Sequence, residues 1–237
     1  MSNRPSLPRR ALAEVLGTGF LLLAIVGSGI AADRLTDDLA LTLLINAIVT
    51  GAALTAMITA VGPVSGAHLN PAVTVAIAME RGLPWREVPL YVGAQVAGAA
   101  IGVVAANLMF DLPAVALAQT GRAGAGLWLG EFIATFGLLT VIWGTVRSHP
   151  GATVAVAVGL YVTAAIWFTS SAGFANPAVT VGRIFTDSYT GIAPLGALPF
   201  VAIQFSGAAA ATLLFRWLLP NPLNVATKTV VPHEVRR

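Results

Sequence analysis

Two tripeptides carry the most specific chemistry in the chain, Asn70-Pro71-Ala72 and Asn176-Pro177-Ala178. Asn caps a helix through its side-chain oxygen, and Pro fits the first helical position because its missing N–H would be unpaired there anyway. Irregular stretches precede them: Gly62-Pro63-Val64-Ser65-Gly66-Ala67-His68 and Ser170-Ser171-Ala172-Gly173-Phe174. About ten helical residues follow each one, or about 15 Å, too short to cross a bilayer. Two carboxylates, Glu14 and Glu131, interrupt otherwise apolar runs. A carboxylate in a membrane span costs about 2.5–3.5 kcal/mol on insertion scales, so it marks a paired or functional group. It is also a strong acceptor for backbone N–H groups. Each could brace one irregular turn, or sit at the interface near a helix end. Gln95 and Gln204 offer similar bracing, or hydrogen bonding between helices.

Other chemistries find no residues. The chain has no Cys and three widely separated His, His68, His149 and His233, without metal-ligand spacing. No nucleophile–base pair or phosphate loop can be assembled, so no catalytic residue, cofactor or metal is expected. The net charge of +3 resides at the chain ends and in short connections, with no basic patch interleaved with aromatics, so nucleic acid is not a partner.

The elements that must position these residues are membrane spans. Of 237 residues, 57% are apolar and 10% charged, against about 25% charged in soluble domains. Six stretches have the roughly 20 apolar residues a spanning helix needs: 11–32, 39–61, 88–110, 126–146, 152–170 and 197–219. Gly29 and Ala31 could mimic a signal-peptidase site after basic Arg9 and Arg10, but the first span is expected to be retained.

The chain also repeats itself. The segment around Glu14 matches that around Glu131, the two Asn-Pro-Ala-Val-Thr-Val strings match, and Gln95-Val96-Ala97-Gly98-Ala99-Ala100 matches Gln204-Phe205-Ser206-Gly207-Ala208-Ala209. Residues 8–110 and 126–220 therefore form two halves of a single domain covering 1–237. Three spans per half is an odd number, so the second half enters the membrane inverted. Buried non-helical backbone survives at membrane depth only beside protein or a water-filled cavity, so two such turns suggest re-entrant loops lining a pore. Gly17, Gly19, Gly93, Gly98, Gly102, Gly207, Ala99 and Ala208 read as helix-packing positions.

Orientation follows the Lys and Arg distribution. With the N-terminus inside, the cytoplasmic side holds Arg4, Arg9, Arg10, Arg81, Arg86, Arg147, Arg216, Lys228, Arg236 and Arg237, and the outside holds Arg34, Arg122 and Arg183. Both termini are expected in the cytoplasm, with the chain in the plasma membrane (the inner membrane of a Gram-negative cell).

The string Ser65-Gly66-Ala67-His68-Leu69-Asn70-Pro71-Ala72-Val73-Thr74 resembles the first signature loop of aquaporins and aquaglyceroporins, the major intrinsic protein family. The second Asn-Pro-Ala and the paired glutamates extend the resemblance over residues 8–220. It implies an all-α membrane fold with six transmembrane helices and two re-entrant half-helices in an inverted repeat, assembled as a homotetramer with one pore per subunit. Asn70 and Asn176 would donate amide N–H groups to the permeant. Carbonyls of Gly66, Ala67 and His68, and of Ala172, Gly173 and Phe174, would form acceptor ladders, and half-helix dipoles would repel cations.

One departure bears on selectivity. Most of the family has Arg three residues after the second Asn; here that residue is Val179. Counting by ungapped spacing puts the other members of the narrow ring at Thr50, Ala164 and Gly173. Such a ring is wide and uncharged, which points to small neutral polar solutes larger than water; the resemblance implies glycerol and undissociated arsenous acid among them, with water as co-permeant. With the run 184–192, this ring is similar to a bacterial aquaglyceroporin subgroup associated with arsenic resistance. Arg183, one helical turn beyond Val179, either displaces the positive charge into the outer vestibule or pairs at the interface with Asp187. A water-selective pore and an ion-coupled transporter are the rival readings. The transporter needs an ion site, whereas the midspan carboxylates match bracing positions.

Overall fold

The computed structural model describes residues 5–148 and 152–219. Among the described residues there are six long α-helices and two short ones, with 3-10 turns at Trp85–Glu87 and Arg183–Phe185: α1 (Leu7–Leu35), α2 (Leu39–Ser65), α3 (Pro71–Met79), α4 (Val88–Met109), α5 (Ala125–Ser148), α6 (Ala152–Phe168), α7 (Pro177–Gly182) and α8 (Pro194–Leu218). Five are long and apolar enough to cross a membrane, and α6 adds 17 apolar residues. A helix covers each of the six expected stretches, with ends shifted by up to four residues; α6, at 17 residues, falls short of the length the other five reach. Arg4, His149, Lys228, His233, Arg236 and Arg237 lie outside the described residues, as does residue 220.

The distribution of polarity is that of a protein dissolved in lipid. Leu12, Leu16, Phe20, Ile48, Ile101 and Leu160 are exposed on the helix exteriors, while Glu14, Gln95, Glu131 and Gln204 are fully buried. Burying four such groups is tolerable only when each is hydrogen-bonded.

Close helix contacts depend on missing side chains, and they occur as related pairs. A Cβ on Gly98 would stand 2.3 Å from the Val15 carbonyl oxygen, and one on Gly102 would stand 2.1 Å from that of Gly19. These glycines draw α4 onto α1, and Gly207 similarly draws α8 onto α5, with 2.7 Å to the Phe132 carbonyl oxygen. Between the halves, Gly51 of α2 and Gly159 of α6 face each other, each 2.6 Å from the other's carbonyl oxygen by the same measure. Thr55 and Thr163 flank that crossing, donating to the Gly51 and Gly159 carbonyls at 2.9 and 3.0 Å. Gly93 departs from the expected packing role, since a Cβ there meets nothing within 4 Å.

The two faces of the bundle differ. On the terminal face, where α1 begins and α8 ends, Arg10 pairs with Glu87 at 2.7 Å and Arg216 with Glu80 at 2.5 Å. The opposite face holds Arg34, which caps the end of α4 through the Phe110 carbonyl at 2.5 Å, together with Arg122 and Arg183.

Replacing Gly102 by Val should cost about 1–3 kcal/mol or more through overpacking, seen as a lower melting temperature in detergent. Gly93→Ala should leave that temperature within error of the native value.

Candidate functional site

Each Asn builds its own helix start and then reaches across to the other half. The Asn70 side-chain oxygen accepts the Ala72 and Val73 amides at 2.9 and 3.4 Å, while its amino group donates to the Ala175 carbonyl at 2.8 Å. Asn176 repeats this on Ala178 and Val179 at 2.9 and 3.3 Å and donates to the Leu69 carbonyl at 2.8 Å. Each amino group has two hydrogens. One fastens the halves together, which leaves the second for the cavity that both residues line.

The turns ahead of them are held by the carboxylates. Glu14 accepts the Ser65 hydroxyl at 2.6 Å, the His68 and Leu69 amides at 3.0 and 2.7 Å, and the Gln95 amino group at 2.7 Å. Glu131 accepts the Phe174 and Ala175 amides at 2.9 and 3.0 Å and the Gln204 amino group at 2.5 Å, and also bonds Ser171. Four donors fill the acceptor positions of each carboxylate, so neither is an interfacial residue near a helix end. The bracing reading of Gln95 and Gln204 also fits.

This bracing orients the carbonyls. In a trans peptide the N–H and the preceding C=O point in opposite directions, and the described chain has no cis peptide. Amides of residues 68 and 69 turned onto Glu14 therefore aim the Ala67 and His68 carbonyls away from it. Amides of 174 and 175 turned onto Glu131 do the same for Gly173 and Phe174. All four residues line the cavity, with Gly66 and Ala172. Left-handed backbone at Gly66, Ala67 and Leu69, and at Ala172, Gly173 and Ala175, produces the reversal. For the four non-glycines this is a rarely occupied region held by the surrounding bonds.

Two residues were passed over in reading the sequence. Thr74 and Thr180 each donate to the carbonyl of their own Asn, at 3.0 and 2.9 Å, and each accepts a Gln amino group at 2.8 Å. They connect each Asn to its glutamate through Gln95 or Gln204. The recurring Thr four residues after each Asn was the available signal.

The cavity measures about 310 Å³ and draws its walls from both halves. Thr50, Gly173 and Val179 of the expected ring line it; Ala164 does not. On α6 the lining residues are Val154, Val158, Val162 and Ile166, spaced four apart. Ala164 falls two residues out of that register, about 200° around the helix, and is exposed on the exterior. Ungapped counting from Asn176 crosses an irregular turn, and there it loses the helical phase.

Arg183 lines the cavity beside Tyr189, and its Nε–H donates to the Thr190 carbonyl. The alternative pairing with Asp187 is not formed; that carboxylate instead accepts the Gln119 amide at 3.0 Å.

Comparison with known proteins converges on one family. The family model described as Major intrinsic protein matches residues 1–169. The chain is 51% identical to "Aquaglyceroporin AqpS" of Rhizobium meliloti (strain 1021), over 90% of this chain and 91% of that one. It is 32% identical to "Probable aquaporin NIP4-2" of Arabidopsis thaliana, over 85% and 73% of the respective chains. The X-ray structure of the aquaglyceroporin from Plasmodium falciparum superposes with a TM-score of 0.71, covering 92% of this chain and 98% of that one. At 22% identity, that likeness speaks for the fold alone.

Glu14→Ala or Glu131→Ala should strand two buried amides, at a cost of about 2–6 kcal/mol. Both variants should lose melting temperature and solute flux together. Native thermal stability in either would refute the bracing role.

Proposed function

The chain belongs to the major intrinsic protein family, and on that premise we propose that it is a passive, bidirectional pore for small uncharged polar solutes, with water as co-permeant. The solute class is glycerol and undissociated metalloid hydroxides such as arsenous acid. The observation that carries this reading is the cavity of about 310 Å³ whose narrow-ring candidates, Thr50, Gly173 and Val179, bear no charge and no aromatic ring. Asn70 and Asn176 act at its centre as hydrogen-bond donors, and the carbonyls of residues 66–68 and 172–174 act as acceptors. A hydroxylated solute exchanges water for these groups as it passes, while the smooth wall of Ile25, Leu54, Val158 and Val162 accepts its carbon side.

Residues 8–110 and 126–220 serve as the two inverted halves, and four subunits assemble with one pore each. The terminal face, carrying Arg9, Arg10, Arg81, Arg86 and Arg216, is cytoplasmic, and the membrane is the plasma membrane (inner membrane in a Gram-negative cell). The excess of basic residues on that face supports this orientation.

Proteoliposome swelling tests the reading directly. Glycerol flux should be linear in concentration, unsaturable and indifferent to proton or sodium gradients. Water flux with glycerol excluded would indicate a water-selective pore instead, and dependence on an ion gradient would indicate a transporter. Val179→Arg should lower glycerol or arsenite flux by about tenfold or more, equivalent to about 1.4 kcal/mol of added barrier, with a much smaller loss for water. Equal loss of all permeants, or no change, would remove Val179 from the filter. Ala164→Leu should alter neither flux.

A further inference from the structure

The vestibule on the opposite face gathers two guanidinium groups around one aromatic ring. The Arg183 Cζ lies 3.5 Å from the Phe174 ring centroid, and the Arg122 Cζ lies 5.3 Å from it. Arg183 follows α7, whereas Arg122 comes from the segment joining α4 to α5, and both line the cavity.

That joining segment is fastened over the mouth. The Ala116 and Ala118 amides donate to the Phe185 and Ile184 carbonyls at 3.2 and 2.9 Å, and the Ala193 amide donates to the Thr120 carbonyl at 2.8 Å. Arg122 donates through Nε to the Gly191 carbonyl at 3.0 Å and through Nη2 to that of Tyr189 at 3.4 Å. Gly196 leaves room for its backbone, since a Cβ there would stand 2.8 Å from the Arg122 carbonyl oxygen.

Neither guanidinium bonds a carboxylate among the described residues; their partners are carbonyls and the electron-rich face of Phe174. Burial pulls Arg122 below its ordinary value, yet an arginine stays charged at neutral pH. Asp187 accepts the Gln119 amide instead, and Glu131, the carboxylate whose charge reaches both arginines, is engaged by the donors of its own turn. Two guanidinium groups with no directly bonded carboxylate among the described residues are thus fixed on the cavity wall.

We propose that Arg122 and Arg183 together form the cation-excluding filter of this pore, displaced from the ring, where Val179 leaves no charge, into the vestibule. The proposal rests on the reading of the chain as a neutral-solute channel. A cation entering from this face meets two fixed positive charges between low-dielectric walls, where repulsion is stronger than in bulk water. A neutral solute meets no such barrier and can accept hydrogen bonds from the free guanidinium N–H groups. Separating charge from ring in this way lets the ring stay wide.

The test uses the full-length chain in proteoliposomes, with glycerol swelling and potassium flux read on one preparation. Arg122→Gln and Arg183→Gln should each raise the potassium-to-glycerol permeability ratio by about tenfold, while Arg122→Lys should hold it within about twofold of native. Should the neutral variants fail to insert, the native chain supplies the measurement. Raising ionic strength with an impermeant salt from about 0.01 M to 1 M shortens the screening length from about 30 to 3 Å and should raise the same ratio. Linear glycerol flux with a ratio unmoved by neutralisation and by salt overturns the displaced filter and leaves the channel standing. Absence of linear glycerol flux in the native chain overturns both.

Discussion

Buried peptide groups cannot be left unpaired, and this chain buries two irregular turns among its helices, beside the cavity. In each turn a buried carboxylate takes two consecutive amides, Glu14 those of residues 68 and 69, and Glu131 those of 174 and 175. Once those amides are directed outward, planar trans peptides aim the intervening carbonyls inward. A wall of acceptors thus follows from two glutamates set in the flanking helices. Gln95 and Gln204 complete the arrangement by linking each glutamate to a Thr and thence to an Asn.

The two halves do not merely touch. Asn70 bonds the backbone of the second turn and Asn176 that of the first, so each half supplies a partner the other needs. The crossing of α2 and α6 repeats the exchange, with Thr55 and Thr163 in equivalent places around facing glycines. Symmetry fails at the mouths. Arg122 and Arg183 crowd the opposite vestibule, while at the terminal face the basic side chains of Arg10 and Arg216 are paired with Glu87 and Glu80.

Much of this was readable from residue types. Six apolar runs and two helix-starting tripeptides gave the elements, and matched glutamates in matched segments pointed to bracing. The expectation failed where geometry had to be counted across an irregular turn: Ala164 was placed in the ring, yet α6 presents residues at 154, 158, 162 and 166. Gly93 failed for a simpler reason, since nothing in composition distinguishes a glycine at a helix crossing from one facing outward. Arg122 was counted only as a charge outside the membrane. No spacing rule reaches it, because it arrives at the vestibule through a loop whose path is decided by hydrogen bonds to residues some 70 positions later.

The crossed asparagine bonds also bear on how the chain is made. Leu69 and Asn176 are 107 residues apart, so at about 5–20 residues per second of translation the first turn waits about 5–20 s for its donor. During that interval the Leu69 carbonyl lacks its final partner, and a first half released into lipid alone would carry that deficit with it. Nascent residues 66–70 must therefore stay hydrated, or sheltered by the insertion machinery, until the second turn emerges. Biogenesis of this protein is in that sense a closing of two clasps, the earlier one held ajar until the ribosome delivers its mate.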